Sequence, residues 1–140
     1  MSVVLRRILP ALVCLALVAR PLLAGDRPPV CFTNRHIEPT TGDVVGYTLA
    51  LAFQEKRVTA SLCTFQGGPD PVITVLTGTV STNHLSVAAP GSASSVPLTL
   101  EGTIGSAVFS GRIRYNRGST FEETSIKLKV SHAIPCCSPK

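Results

Sequence analysis

Apolar and polar residues alternate one by one along most of the chain after residue 40. Over 44–53, Val45, Tyr47, Leu49, Leu51 and Phe53 fall on one side, and Gly46, Thr48, Ala50 and Ala52 on the other. Over 57–65, Val58, Ala60 and Leu62 oppose Arg57, Thr59, Ser61 and Cys63; over 109–115, Phe109, Gly111, Ile113 and Tyr115 oppose Ser110, Arg112 and Arg114. Over 124–133, Ile126, Leu128 and Val130 oppose Lys127, Lys129 and Ser131. A period of two is the mark of a half-buried strand, and no apolar face recurs at helical spacing. With the runs at 72–80, 85–88 and 96–104, the pattern predicts seven strands, and 30–37 supplies an eighth.

A repeat supports the same architecture. Residues 76–86 (LTGTVSTNHLS) and 100–110 (LEGTIGSAVFS) share apolar, Gly, Thr and Ser positions at a spacing of 24 residues. Each copy reads as strand, tight connection, strand, so the chain is expected to run as a meander of antiparallel hairpins. One greasy face must then be hidden, either by closing the sheet into a barrel or by folding it into a sandwich. Gly78, Gly102 and Gly111 lie on the greasy face, where glycine permits a sharp bend or a close approach. Together they favour a small all-β barrel, closed or partly open, with the sandwich as the alternative.

The first 24 residues depart from this pattern. Arg6 and Arg7 precede a 12-residue apolar run, Ile8 to Ala19, and Leu22-Leu23-Ala24 offers a cleavage point. That is the layout of a signal peptide, and the run is too short for the roughly 20 residues of a membrane-spanning helix, so no stable membrane anchor is expected. Residues 25–140 then form a single all-β domain of the secreted or periplasmic class. Three of the 13 Lys and Arg leave with the leader while all eight acids stay, which lowers the net charge from +5 to +2. The basic balance of the whole chain is therefore weak support for a nucleic-acid partner, and no nucleic acid is expected.

Cys31, Cys63, Cys136 and Cys137 remain after the leader. In an exported domain an even set of this kind reads as disulfides. Neighbouring cysteines bridge each other only with strain, so Cys31 and Cys63 each take one tail cysteine, in either order. If the first and last strands are neighbours in a closed meander, such a bridge clips the seam. An exported eight-strand meander with a tail cysteine reaching back resembles the lipocalin and calycin barrels. Their usual Gly-x-Trp motif is absent here, since the chain contains no Trp, and no ligand residue is carried over.

Candidate chemistry is sparse. His36, His84 and His132 stand apart; His84 is expected in a hairpin turn, and one His beside Cys136 does not make a metal site. Glu122 and Glu123 would point to opposite faces of a strand. The domain is therefore expected to bind rather than catalyse, with no cofactor and no metal. Two binding readings follow. A small apolar ligand could sit inside the barrel among Tyr47, Leu49, Gly78, Gly102, Phe109 and Tyr115, with the glycines leaving room and the tyrosines giving polar handles. Alternatively, Arg112, Arg114, Lys127 and Lys129 would form a basic patch on the outer face that meets an anionic envelope component, or serves an inhibitor-type module.

Overall fold

The computed structural model describes residues 28–68, 70–93, 95–132 and 136–137; the expected signal peptide lies outside them. Nine strands follow in order: β1 (Val30–Thr33), β2 (His36–Ile37), β3 (Val44–Gln54), β4 (Arg57–Gln66), β5 (Val72–Ser81), β6 (His84–Ala89), β7 (Leu98–Ile104), β8 (Val108–Arg117) and β9 (Thr120–Val130). From β3 to β9 each strand pairs antiparallel with the next. β1 bonds to β9 on one side and to β3 on the other, so the sheet has no free edge there. The result is a closed eight-stranded antiparallel barrel, and the sandwich alternative is set aside.

The expected first strand is present in two pieces. β1 and β2 keep one register along β3, from Val30 opposite Leu51 to Ile37 opposite Val44, but the ladder breaks between them. The Asn34 carboxamide oxygen accepts the Tyr47 N–H at 2.7 Å, while the Asn34 N–H donates to the Tyr47 carbonyl at 3.1 Å. Gly46 takes φ +112° at this break, and a Cβ there would lie 2.8 Å from the Asn34 side chain. Glycine is required at this position for both reasons.

Three hairpins turn on two residues each: Glu55-Lys56, Thr82-Asn83 and Gly118-Ser119. The first residue of each has positive φ, at 57°, 58° and 69°. Two of these tight turns shift expected boundaries, and a proline shifts a third. His84 opens β6 opposite Ser81 instead of sitting in the turn. β9 begins at Thr120, four residues before the expected start at 124, which brings Glu122 and Glu123 into the ladder opposite Tyr115 and Arg114. β7 begins at Leu98, because Pro97 has no N–H to give a ladder; its carbonyl accepts from Asn116 N–H at 3.0 Å.

The alternating apolar set points inward, as the period requires. Leu49, Leu51, Leu62, Leu76, Leu85, Leu100, Phe109, Ile113 and Leu128 are fully buried, and Phe32 contributes from β1. Fully burying side chains of this size is worth roughly 1.5–3 kcal/mol each. The space in front of the wall glycines is occupied. A Cβ on Gly102 would meet the Phe109 ring at 2.6 Å and Gly111 Cα at 2.7 Å, and one on Gly111 would meet the same ring at 2.8 Å. Phe109 lies over both glycines and packs at 6.1 Å against Phe32. Gly78 lets the Ser86 carbonyl and Val87 Cα of β6 come close, as Gly102 and Gly111 also do for the Ser110 and Glu101 carbonyls of their partner strands.

Part of the outer wall is buried as well. Thr48, Ala50, Ser61, Cys63 and Phe65 face away from the core by parity, yet all are shielded from water. They surround the point where the tail crosses back. Cys136 bridges to Cys31 on β1 and Cys137 to Cys63 on β4, with Cα separations of 5.7 and 6.1 Å. Of the two pairings the sequence leaves open, this one is realised. Cys136 and Cys137 thus tie the end of the chain to β1 and β4, on either side of β3. Arg35, in the break between β1 and β2, stacks on Phe65 at 5.1 Å and covers it from the other side.

Two stability outcomes follow. Gly78→Ala pushes a Cβ into the β6 backbone and should cost about 1–3 kcal/mol, the usual range for overpacking, whereas Gly68→Ala, with nothing within 4 Å, should be close to neutral; urea unfolding of both variants checks this. Replacing Cys63 and Cys137 together by Ser removes a bridge that closes 74 residues of sequence. It should lower unfolding stability by about 2–4 kcal/mol, read by the same titration.

Candidate functional site

The residues expected to line the interior do so. Leu49 and Phe109 are buried core residues, and Gly78 and Gly102 form wall positions against neighbouring backbone and the Phe109 ring. Tyr47 and Tyr115 are half-buried at one mouth of the barrel, where Tyr47 pairs with Thr64 across β3 and β4, and Tyr115 lies between Leu98 and Glu122. Thr64, on β4, acts on the Tyr115 hydroxyl as a hydrogen-bonding group, although β4 and β8 are not neighbouring strands. Burial pushes the Tyr115 hydroxyl above the ordinary tyrosine range; nearby Tyr47 adds to the rise, the Thr64 hydrogen bond opposes it, and Glu122 contributes a smaller increase.

The outer face of β7, β8 and β9 carries the charged groups. Arg112, Arg114, Lys127 and Lys129 share one side of β8 and β9, as the alternation predicts, and all four are exposed. Two acids that the sequence reading left out of this patch lie on the same face. Glu101 stands opposite Arg112, and Glu123 stands opposite Arg114. Arg114 holds the Glu123 carboxylate through Nε at 3.2 Å and a terminal nitrogen at 2.8 Å. Arg112 reaches the other carboxylate oxygen at 3.4 Å. The Arg114 hydrogen bond is the chief reason that the Glu123 carboxyl ionises below its ordinary range, with Arg112 assisting. Thr99, Glu101, Arg112, Arg114 and Glu123 thus line a small polar depression of about 110 Å³. Arg114 also lies 4.6 Å above the exposed Phe121 ring, and Arg117 meets Glu122 at 3.5 Å.

The face is therefore polarised rather than uniformly basic. Toward the Gly118-Ser119 turn the arginines are compensated by Glu123. Farther along β9, Lys127 and Lys129 make no ion pair among the described residues. The turn at Gly118-Ser119 was the signal that would have revealed Glu123: a hairpin there sets β9 in register with β8 and fixes the acid opposite Arg114.

The histidines stay apart. His36 Nδ1 lies 3.0 Å from the Asn34 carbonyl, and His84 and His132 are exposed at other points. Among the described residues no three His, Cys, Asp or Glu side chains come together in a way that could hold a metal ion. Away from the two disulfides the exterior carries exposed Thr59, Thr77, Thr79, Ser86 and Ser110 beside the charged residues. Ile37 on β2, Val72, Ile73 and Val75 on β5 and Phe121 on β9 are exposed as well, so the exterior mixes polar and apolar side chains. The two disulfides are consistent with an oxidising, extracytoplasmic environment. No protein-family model matches the chain, and neither a curated protein nor a solved structure matches it.

The Tyr115 environment has a measurable consequence. Folding disfavours the phenolate, so the contribution of Tyr115 to stability is complete below the unfolded-state value of about 10 and is lost as pH rises through the higher folded value. Unfolding stability measured between pH 8 and pH 11 should fall at the alkaline end. Tyr115→Phe should flatten that fall, and an unchanged profile in the variant would assign it to other groups.

Proposed function

We propose that this domain is an exported, non-catalytic binding module, secreted or periplasmic, that engages an anionic envelope component through the outer face of β8 and β9. The observation that carries this reading is the pair Lys127 and Lys129. Both are exposed, and neither is neutralised by an acid among the described residues. Arg112 adds to them, since its guanidinium is two-thirds exposed and holds Glu123 only by the longest contact to that carboxylate. These cations project from adjacent paired strands of a closed barrel, so their spacing is fixed by the ladder and little ordering entropy is lost on binding. Attraction of this kind acts between exposed groups and is screened over roughly 8–10 Å at physiological salt.

A second reading, carriage of a small apolar ligand inside the barrel, draws on the hydroxyl groups at the mouth, half-buried Tyr47 and Tyr115 and buried Thr64. It requires core side chains to move, because the leucines and Phe109 pack as one buried cluster. Saturable, displaceable binding of a hydrophobic fluorophore to the oxidised protein is its test, and no such binding ends it.

For the first reading, the folded protein should be retained on an anionic envelope polysaccharide at low salt and eluted as salt rises. The variant with Arg112, Arg114, Lys127 and Lys129 all changed to Ala should lose that retention while keeping its thermal transition. Equal retention of the variant would rule the face out.

A further inference from the structure

Resting on that reading, we infer that the basic face contains a defined subsite for a tetrahedral oxyanion, the phosphate or sulfate ester groups of its partner, built by Ser110, Arg112, Ser125 and Lys127. In the β8–β9 ladder Ser110 stands directly opposite Lys127, and Arg112 directly opposite Ser125. The four outward side chains therefore form a checkerboard, with the two cations on one diagonal and the two hydroxyls on the other. Cross-strand neighbours of this kind are about 5 Å apart at Cβ, and successive outward residues on one strand about 7 Å apart. The long side chains at two corners and the short ones at the others leave a shallow depression, floored by Gly111 and Ile126 between them.

The donor inventory fits one ligand chemistry. Ser110 and Ser125 have no side-chain hydrogen bond among the described residues, and Lys127 has no ion pair. Arg112 is attached to Glu123 only at 3.4 Å, while Arg114 holds the same carboxylate at 2.8 and 3.2 Å. Glu123 thus remains compensated when Arg112 turns toward the depression. The quartet then offers an ammonium, a guanidinium fork and two hydroxyls arriving from four sides. A phosphate or sulfate ester presents three terminal oxygens in a tripod and can accept from all of them. A carboxylate presents two oxygens in one plane and leaves the hydroxyl diagonal poorly used. The neighbouring depression already shows what a carboxylate does on this face, since Glu123 is gripped edge-on by the arginines and engages no hydroxyl. Preference for a tetrahedral oxyanion is therefore a property of the serine corners, and general attraction to anions a property of the charged ones.

The experiment separates the two. Dextran sulfate and carboxymethyl dextran, matched in chain length and charge density, present different anions on the same backbone. Affinity for each is measured by titration calorimetry with the wild-type domain and with Ser110→Ala/Ser125→Ala, which keeps every charge. The wild type should bind dextran sulfate more tightly, and the double variant should lose at least about tenfold for that polymer, the effect of a single hydrogen bond to a charged group, with little change for the carboxymethyl polymer. Equal wild-type affinities for the two polymers, or unchanged dextran sulfate binding in the double variant, would overturn the subsite and leave the basic face standing. If the wild type binds neither polymer, both the subsite and the proposed function fail. A dextran phosphate arm then assigns the natural group to phosphate or sulfate by the larger serine dependence.

Discussion

The two-sided pairing of β1 is the constraint on which everything else in this molecule rests. Four residues, Val30–Thr33, bond to β9 along one side and to β3 along the other. Without them the meander from β3 to β9 would be an open, twisted sheet with two free edges, and the leucines of one face would stand in water. Closure is costly for so short a strand. Only two residue pairs join it to β9, Phe32 with Val130 and Thr33 with Lys129. Three other features compensate for that thin seam. Phe32 packs into the core against Phe109, the Ser131 N–H donates to the Cys31 carbonyl at 2.8 Å, and the two disulfides tie the end of the chain to β1 and β4.

The seam and the charged face are related by geometry. β9 takes part in both: Lys129 and Val130 at one end close the barrel onto β1, and Glu123, Ser125, Lys127 and Lys129 alternate outward along its length. Whatever fixes β9 against β1 also fixes the outward row of β9 against β8. A cationic surface made of flexible lysine side chains thereby gains a rigid base, with the spacing between its cations set by backbone hydrogen bonds rather than by loop conformation. The interior contributes to this indirectly, as a filled core that keeps the wall from flexing.

Much of the architecture was legible because a period of two leaves few choices. Once Leu49, Leu62, Leu100 and Ile113 are assigned to one face, the barrel's inside and outside follow, and all four are fully buried. Of the bend or close approach that the wall glycines signalled, close approach is what the structure shows. What occupies the space before them was not legible, since nothing in the local sequence says that the Phe109 ring turns back over Gly102 and Gly111 rather than along the lumen. The charged face was legible in its cations and not in its acids. Strand parity places Arg112, Arg114, Lys127 and Lys129 on one side, but pairing Glu123 with Arg114 depends on register, and register depends on a two-residue turn at Gly118-Ser119. The disulfides were legible in composition alone: four cysteines imply two bridges, whereas the choice between tail partners is made by the three-dimensional positions of Cys31 and Cys63 on the outer wall.

The bridge between Cys31 and Cys136 has one further effect. It encloses 105 residues of sequence, and every hydrogen-bonded strand of the barrel after Cys31 lies within that loop. Tension applied at the two ends of the chain is therefore carried from one sulfur to the other, and bypasses the ladders altogether. A domain wired in this manner can hang between two anchored partners and bear a pulling force without its sheet being loaded.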